Sequence, residues 1–334
     1  MAKKKNQHYL PQFYIRHFSI ENNQKEIGIY NLKQDLYIYK GSIKHQCSEN
    51  YFYGEDEIVE NFLAKIEGNF AKTFKSIIEF KKIDKKNKEE LFQLLAFITI
   101  TDLRSLTAIE NLKTFPLRVN ALDSNINFPP ITHKQSIMTM FTVITDILPT
   151  LIDLDYKLFI NKTDTQFIMS DYPIAKYNYL YENLPTYFSV TGYQSKGFMM
   201  FLPISPILTL VFFDKTSYKI GTKKSINIEI NDSKEIDQLN ILQILNANKN
   251  IFFNEKIGKE YIINQHNRSK KFNKPNIPQT FTAKFERSNG VIDDNVLFVN
   301  QQNDTFINLK LKSLKIHSGS KYKTIDVTRV NLRE

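Results

Sequence analysis

The chain has 334 residues and a 42% apolar share, more than the roughly 250 to 300 residues one core usually holds. One large domain with an appendage, or two domains, is therefore expected. Its single cysteine, Cys47, excludes an internal disulfide and a zinc site built on paired cysteines. The longest apolar runs, such as LFQLLAFITI, fall short of the about 20 residues that span a bilayer.

No apolar run follows the lysines at positions 3 to 5 as it would in a signal peptide, so no membrane partner and a cytoplasmic location are expected. The net charge of +10 is unevenly spread. Residues 265–334 carry 13 Lys/Arg against 6 Asp/Glu, while the preceding body is close to neutral. A basic end on a neutral body suits a polyanion such as nucleic acid, although solubility or an AT-rich coding sequence would explain it equally.

In chain order, NQHYLPQFYIRHFS opens the fold with four aromatics, two histidines, an arginine and a proline. Tyr9, Phe13, Tyr14 and Phe18 would each bury about 150 to 250 Å² when packed, so the segment is expected to be pinned inside the body. Pro11 predicts extended backbone at that point. EIGIYNL and DLYIY alternate as a hairpin around NLKQD, closed by Gly41. Residues 55–80 repeat Ile58, Phe62, Ile66, Phe70, Phe74 and Ile77 at helical spacing. A second helix is predicted over about 87–113, apolar nearly all round, and a third over 133–148, stopped by Pro149.

DYKLFIN and TQFIMSD then read as a hairpin turning at Asn161–Asp164, and MMFLPIS with PILTLVFF as a strand pair buried on both faces. A helix over about 232–248 and the strand IFFN follow. NQHNRSKKFNKPNIPQT reads as a linker, and NVLFVN, TFINLKLKSLKI and TIDVTRVNL as strands beyond it. The expected architecture is α+β: N-terminal helices on a mostly antiparallel sheet, with a basic C-terminal β appendage. The expected boundaries are a main domain over 1–264, a linker over 265–280 and a small basic β module over 281–334. That module is too small to be stable without docking.

Four segments resemble the bacterial family catalogued as domain of unknown function 4238. His8, Tyr9, Pro11, Phe13, Tyr14, Arg16 and Phe18 match its opening pattern His-Tyr-x-Pro-x-Phe-Tyr-Leu-Arg-x-Phe, with Ile15 in place of leucine. FYGEDEIVENFLAKIE is similar to its glutamate-bearing helix through Glu60 and Glu67. FIMSDYP carries its Ser-Asp-x-Pro at Ser170, Asp171 and Pro173, and LPISP its Pro-Leu-Ser-Pro at Pro203, Ser205 and Pro206. The family's Arg-Thr-Pro is replaced by Arg104-Ser105-Leu106, and a tryptophan before the Ser-Asp segment is absent. The resemblance covers about residues 6 to 258, leaves out the basic end, and implies no activity.

Two readings of these residues stay open. In one, Arg16 pairs with a helix carboxylate such as Glu67, and His8 bonds a backbone carbonyl. In the other, both face a cleft with Glu60, Glu67, Ser170 and Asp171. Arg16 would then hold an anion, His8 would move a proton, and Tyr14 and Ser170 would touch substrate. A carboxylate pair with a histidine could also hold a divalent ion. Asp171 has its own alternative as a turn-forming residue whose carboxylate caps nearby amides. No phosphate-binding glycine loop and no Gly-x-Ser-x-Gly elbow occur, which argues against nucleotide-driven motors, dehydrogenases and common hydrolases.

The function expected is action on nucleic acid, phosphodiester cleavage included. There His8, Arg16, Glu67 and Asp171 would be catalytic and the basic C-terminal region would supply backbone affinity. The alternatives are a non-catalytic nucleic-acid-binding module and a protein-interaction component of a larger complex.

Overall fold

A computed structural model describes residues 5–122, 126–184, 189–272, 274, 304–320 and 331–333, and short pieces within 281–298. The architecture is α+β, with a five-stranded and a four-stranded sheet, mostly antiparallel, four two-stranded pairings and seven α-helices among the described residues. The opening segment runs as a short strand, β1 (Asn6–His8), then Pro11, then one helical turn, α1 (Gln12–Arg16). Pro11 is itself extended, as its ring and the sequence predict, but it serves as the N-cap of that turn. A hairpin follows, β2 (Glu26–Asn31) with β3 (Leu36–Ser42), and β4 (Ser48–Asn50) returns to pair with β1.

The long helices come next: α2 (Ile58–Phe80), α3 (Lys88–Leu103), α4 (Leu106–Asn120) and α5 (His133–Ile147). The helix expected over 87–113 is in fact two, bent by 51°. Ser105 makes the break. Its hydroxyl donates to the Asp102 carbonyl at 2.8 Å and accepts from the Ala108 amide at 3.1 Å, closing α3 and capping α4. No single helix among the described residues is long and apolar enough to cross a membrane.

The larger sheet has the order β11 (Asn227–Ile230), β5 (Asp155–Asn161), β9 (Leu208–Phe213), β8 (Met199–Ser205) and β7 (Ala175–Tyr177), with β11 parallel to β5. Its inner strands read as apolar on both faces because both faces are covered. Met200, Leu202, Leu210 and Phe212 point into the core under α2, α3 and α5, while Met199, Phe201, Val211 and Phe213 meet α6 (Ser233–Asn246). The smaller sheet has the order β3, β2, β12 (Asn250–Phe253) and β6 (Met169–Ser170). The expected hairpin of DYKLFIN with TQFIMSD is therefore corrected: β6 pairs with β12, in a different sheet from β5. Three amides of α6, on Asn240, Gln243 and Asn246, bond the backbone of residues 166–174 and draw that segment away from β5.

Residues 265–269, expected as linker, complete helix α7 (Lys259–Ser269). Residues 275–280 of that expected linker lie outside the described residues. Two short antiparallel pairings follow, β13 (Phe281–Thr282) with β16 (Leu297–Phe298) and β14 (Phe285–Glu286) with β15 (Ile292–Asp293). The remainder of NVLFVN and the TIDVTRV portion of the last expected strand also lie outside the described residues. Ile307, Leu309 and Leu311 are buried with α6 beneath the large sheet, and β17 (Leu314–Ile316) pairs with β10 (Tyr218–Ile220), so this stretch is docked on the body.

The aromatic opening is buried as its composition requires. Tyr14 is fully enclosed and donates to the Pro203 carbonyl at 2.5 Å, and Phe13 and Tyr14 pack edge-on or tilted against Phe74 and Phe97. His17 stacks on Phe74, with no hydrogen-bond partner for Nε2. Burial pushes its pKa down to about 4, against about 6.5 for a free histidine. Folding thus holds His17 neutral where the unfolded chain would protonate it. Stability is full above pH 6.5 or so and falls as pH drops toward about 4, by about 3 kcal/mol in total. His17→Phe keeps the ring stack and should remove this slope, so urea midpoints at about pH 7.5 and about pH 5 should lie closer together than in the wild type. Equal pH dependence in both proteins would mean that His17 is not held neutral by the fold.

Candidate functional site

Tyr14 sits in the opening segment between His8 and Arg16, and Asp171, next to Ser170, acts electrostatically on Tyr9 and Cys47 of that region. His8, Arg16 and Glu67 lie around the opening segment. His8 Nε2 contacts the Lys44 carbonyl at 3.2 Å and the Gln12 amide at 3.0 Å. Burial pushes its pKa down, the Lys44 bond opposes this, and the charges of Arg104 and Arg16 add to the depression. Arg16 bonds Gln12 at 2.8 Å rather than Glu67. The partner of Glu67 is Arg104, at 2.8 Å, a side chain only 1% exposed at the broken end of α3. His8 thus contacts a backbone carbonyl, and the Glu67 carboxylate expected to pair with Arg16 pairs with Arg104 instead. Among the described residues no three His, Cys, Asp or Glu side chains gather as a metal-ligand set, so the carboxylate pair with histidine does not assemble.

Ser170, Asp171 and Tyr14 each bond within the fold. The Ser170 hydroxyl donates to the Tyr172 carbonyl at 2.6 Å and to Gln243 Oε1 at 3.0 Å. The Asp171 carboxylate accepts the amides of Asn248, Lys249 and Asn250 at 2.8 to 3.0 Å, fixing the turn from α6 into β12. Burial raises its pKa, and these three bonds oppose the rise.

A cleft of about 930 Å³ opens beside this turn, between the α3–α4 break, α5, the end of α6 and the loop over 189–196. Asp102, in the last turn of α3, sits at its edge and is 3% exposed. Its Oδ1 accepts the Tyr172 hydroxyl at 2.5 Å, and its Oδ2 accepts the Tyr193 hydroxyl and pairs with Lys176 Nζ at 2.5 Å. Lys176 also lies 4.4 Å over the Tyr193 ring, a cation–π contact. Burial pushes the Tyr172 hydroxyl well above its ordinary pKa and Asp102 adds to this, so it stays protonated and donates.

Lys33 and Lys274 line the same cleft. Burial depresses the pKa of Lys274, Asp171 opposes this, and the positive charge of Lys33 depresses it further. Asp102 anchors Lys176, and Lys33, Lys274 and Glu110 are the other charged groups of the lining. Leu103, Leu106, Met140, Val143 and Leu245 supply apolar wall. An apolar cleft with a few convergent charged groups is the usual form of a ligand site. Its chemistry suits an anion whose body is partly apolar.

The sequence model of a family described as "Protein of unknown function (DUF4238)" matches residues 6–257. The chain belongs to this family. The match takes in both the opening segment and most of the cleft, and ends before Lys274. No curated protein and no solved structure matches the chain.

Sequence reasoning missed Asp102, Lys176 and Tyr193. For Asp102 a signal existed: an aspartate within a helix apolar nearly all round is buried only with partners. Tyr172 stands next to Asp171 in the bend after β6, and its hydroxyl reaches Asp102 while the Asp171 carboxylate caps the 248–250 amides.

Asp171→Asn would leave buried amides facing an NH₂ group, and should lower stability by about 3 kcal/mol in urea unfolding. A variant as stable as the wild type would mean that the carboxylate is free for other work.

Proposed function

We propose that this chain binds nucleic acid, seating a phosphate between Lys33 and Lys274 in the cleft. The observation that carries this reading is that three lysines, Lys33, Lys176 and Lys274, line one cleft beside an apolar wall. Arg268, Lys270 and Lys271 lead to Lys274 along the end of α7, and the sequence beyond residue 265 keeps a surplus of positive charge. Backbone contacts of this kind give affinity that falls steeply with salt and depends little on base sequence. The apolar wall gives a base or sugar a surface to rest on.

Phosphodiester cleavage belongs to the proposal, with Asp102, Lys176 and the two tyrosines in place of the His8, Arg16, Glu67 and Asp171 set. Lys176 would neutralise charge on a phosphate, positioned by Asp102, whose carboxylate the Tyr172 and Tyr193 hydroxyls hold in place. Action in the cytoplasm is part of the same reading, and a lone, buried Cys47 thiol suits it.

Anisotropy of labelled single- and double-stranded DNA and RNA, between about 50 and 200 mM salt, tests this directly. The Lys33→Ala, Lys274→Ala double variant should bind about tenfold more weakly, with a salt slope reduced by about two. Any strand cleavage by the wild type should disappear in Asp102→Asn. Unchanged affinity and slope in the double variant would remove the cleft from nucleic-acid binding.

A further inference from the structure

We infer that the C-terminal segment, outside the residues the family model matches, fixes one wall of the cleft and so decides what it admits, with Asp304 and Arg333 as positioning residues. The inference rests on the cleft's being the ligand site. The wall in question is the loop over 189–196, which brings Ser189, Thr191, Gly192 and Tyr193 to the cleft. Within the loop the backbone makes few bonds of its own, one being the Ser195 amide to the Gly192 carbonyl at 2.9 Å. Asn178 of the body holds its Val190 and Lys196 carbonyls at 2.7 and 2.9 Å, and the C-terminal segment adds further anchors.

At the start of the loop, the Asp304 carboxylate accepts the Val190 amide at 2.8 Å, the Ser189 hydroxyl at 2.9 Å and the Thr191 hydroxyl. Thr305, the next residue, itself lines the cleft. At the far end, residues 331–333 lie antiparallel to the loop. The Lys196 amide donates to the Asn331 carbonyl and the Arg333 amide to the Gln194 carbonyl, both at 2.8 Å, and Ser195 bridges Leu332. The Arg333 guanidinium is 4% exposed and grips Asp153 with two bonds, at 2.9 and 3.1 Å. It also donates to the carbonyls of Tyr193 and Thr150. A planar fork with five donors can hold an aspartate and two carbonyls at once, which a lysine cannot.

This anchorage reaches the chemistry through Tyr193. The Arg333 bond holds the backbone of Tyr193, whose hydroxyl bonds Asp102 and whose ring lies under Lys176. Releasing the loop frees the ring and leaves Lys176 with Asp102 alone. The two anchors lie at positions 304 and 333, beyond the family match at 6–257, so this wall is set by a part of the chain that the family pattern does not specify.

Hydrogen exchange on the full chain tests this without reference to any ligand. In Arg333→Ala and in Asp304→Asn, amides of residues 189–196 should exchange at least about tenfold faster, while β8 and β9 keep their protection. Arg333→Lys should fall between. The same variants should bind the labelled oligonucleotides about tenfold more weakly, and Tyr193→Phe should lose affinity with the loop still protected. Unchanged exchange at 189–196, or loss of protection spread over the whole fold, would overturn the anchorage. Selective loosening with unchanged affinity would overturn control of the cleft by this segment. A wild-type protein that binds no oligonucleotide would instead count against the proposed function, with the exchange data still deciding the anchorage.

Discussion

Much of this fold turns on one buried charge. Arg104 sits at the end of α3 with almost no access to water, and such a guanidinium is tolerated only where carboxylate and hydrogen-bond partners surround it. Burial lowers its pKa, and Tyr53 and Glu67 more than offset this, leaving it raised. The bond to Glu67 ties α2 to α3. The chain must leave the helix here, and Ser105 caps the next one at once. That sharp exit leaves Asp102, two residues earlier, at the edge of the cleft. One turn of chain therefore serves the packing of the opening segment on one side and the candidate site on the other. Losing a partner of such a buried pair costs about 3 to 5 kcal/mol.

The opening segment answers to the same logic. Its aromatics fill the space among α2, α3 and the large sheet, and Gln7 clasps Gly54 and Tyr53 with both ends of its amide. Its histidine and arginine are carried to fixed places by that burial. Their contacts are those of a frame.

What was legible in the sequence follows from how local each signal is. The β2–β3 hairpin, α2, α5, α6 and the β8–β9 pair come from periodicity and turn residues, which act over a few positions. The burial of Tyr14 and Phe18 was legible because large aromatics leave little choice. The turn of helix after Pro11 was not, since a proline that forbids helix before it also starts one well. The break at Arg104–Ser105 hid inside an apolar helical run, and the pairing of β6 with β12 depends on amides of α6 that lie about 70 residues away in the chain. Asp171 and Ser170 drew attention as polar residues at a strand end, yet polar residues also build turns, and here they do so. The cleft draws Asp102, Tyr172 with Lys176, Tyr193 and Lys274 from four separate stretches of chain, a juxtaposition that no spacing rule encodes.

The central claim is that the N-terminal signature is framework and the lysine-lined cleft is where a ligand sits. Photocrosslinking a thio-substituted oligonucleotide to the wild-type chain, followed by peptide mapping, tests it most directly. The account predicts crosslinks on peptides that contain Lys33, Tyr172 to Lys176, or Lys274. Crosslinks gathered instead on the peptides of His8, Arg16 and Glu67 would contradict it, and would return the site to the opening segment.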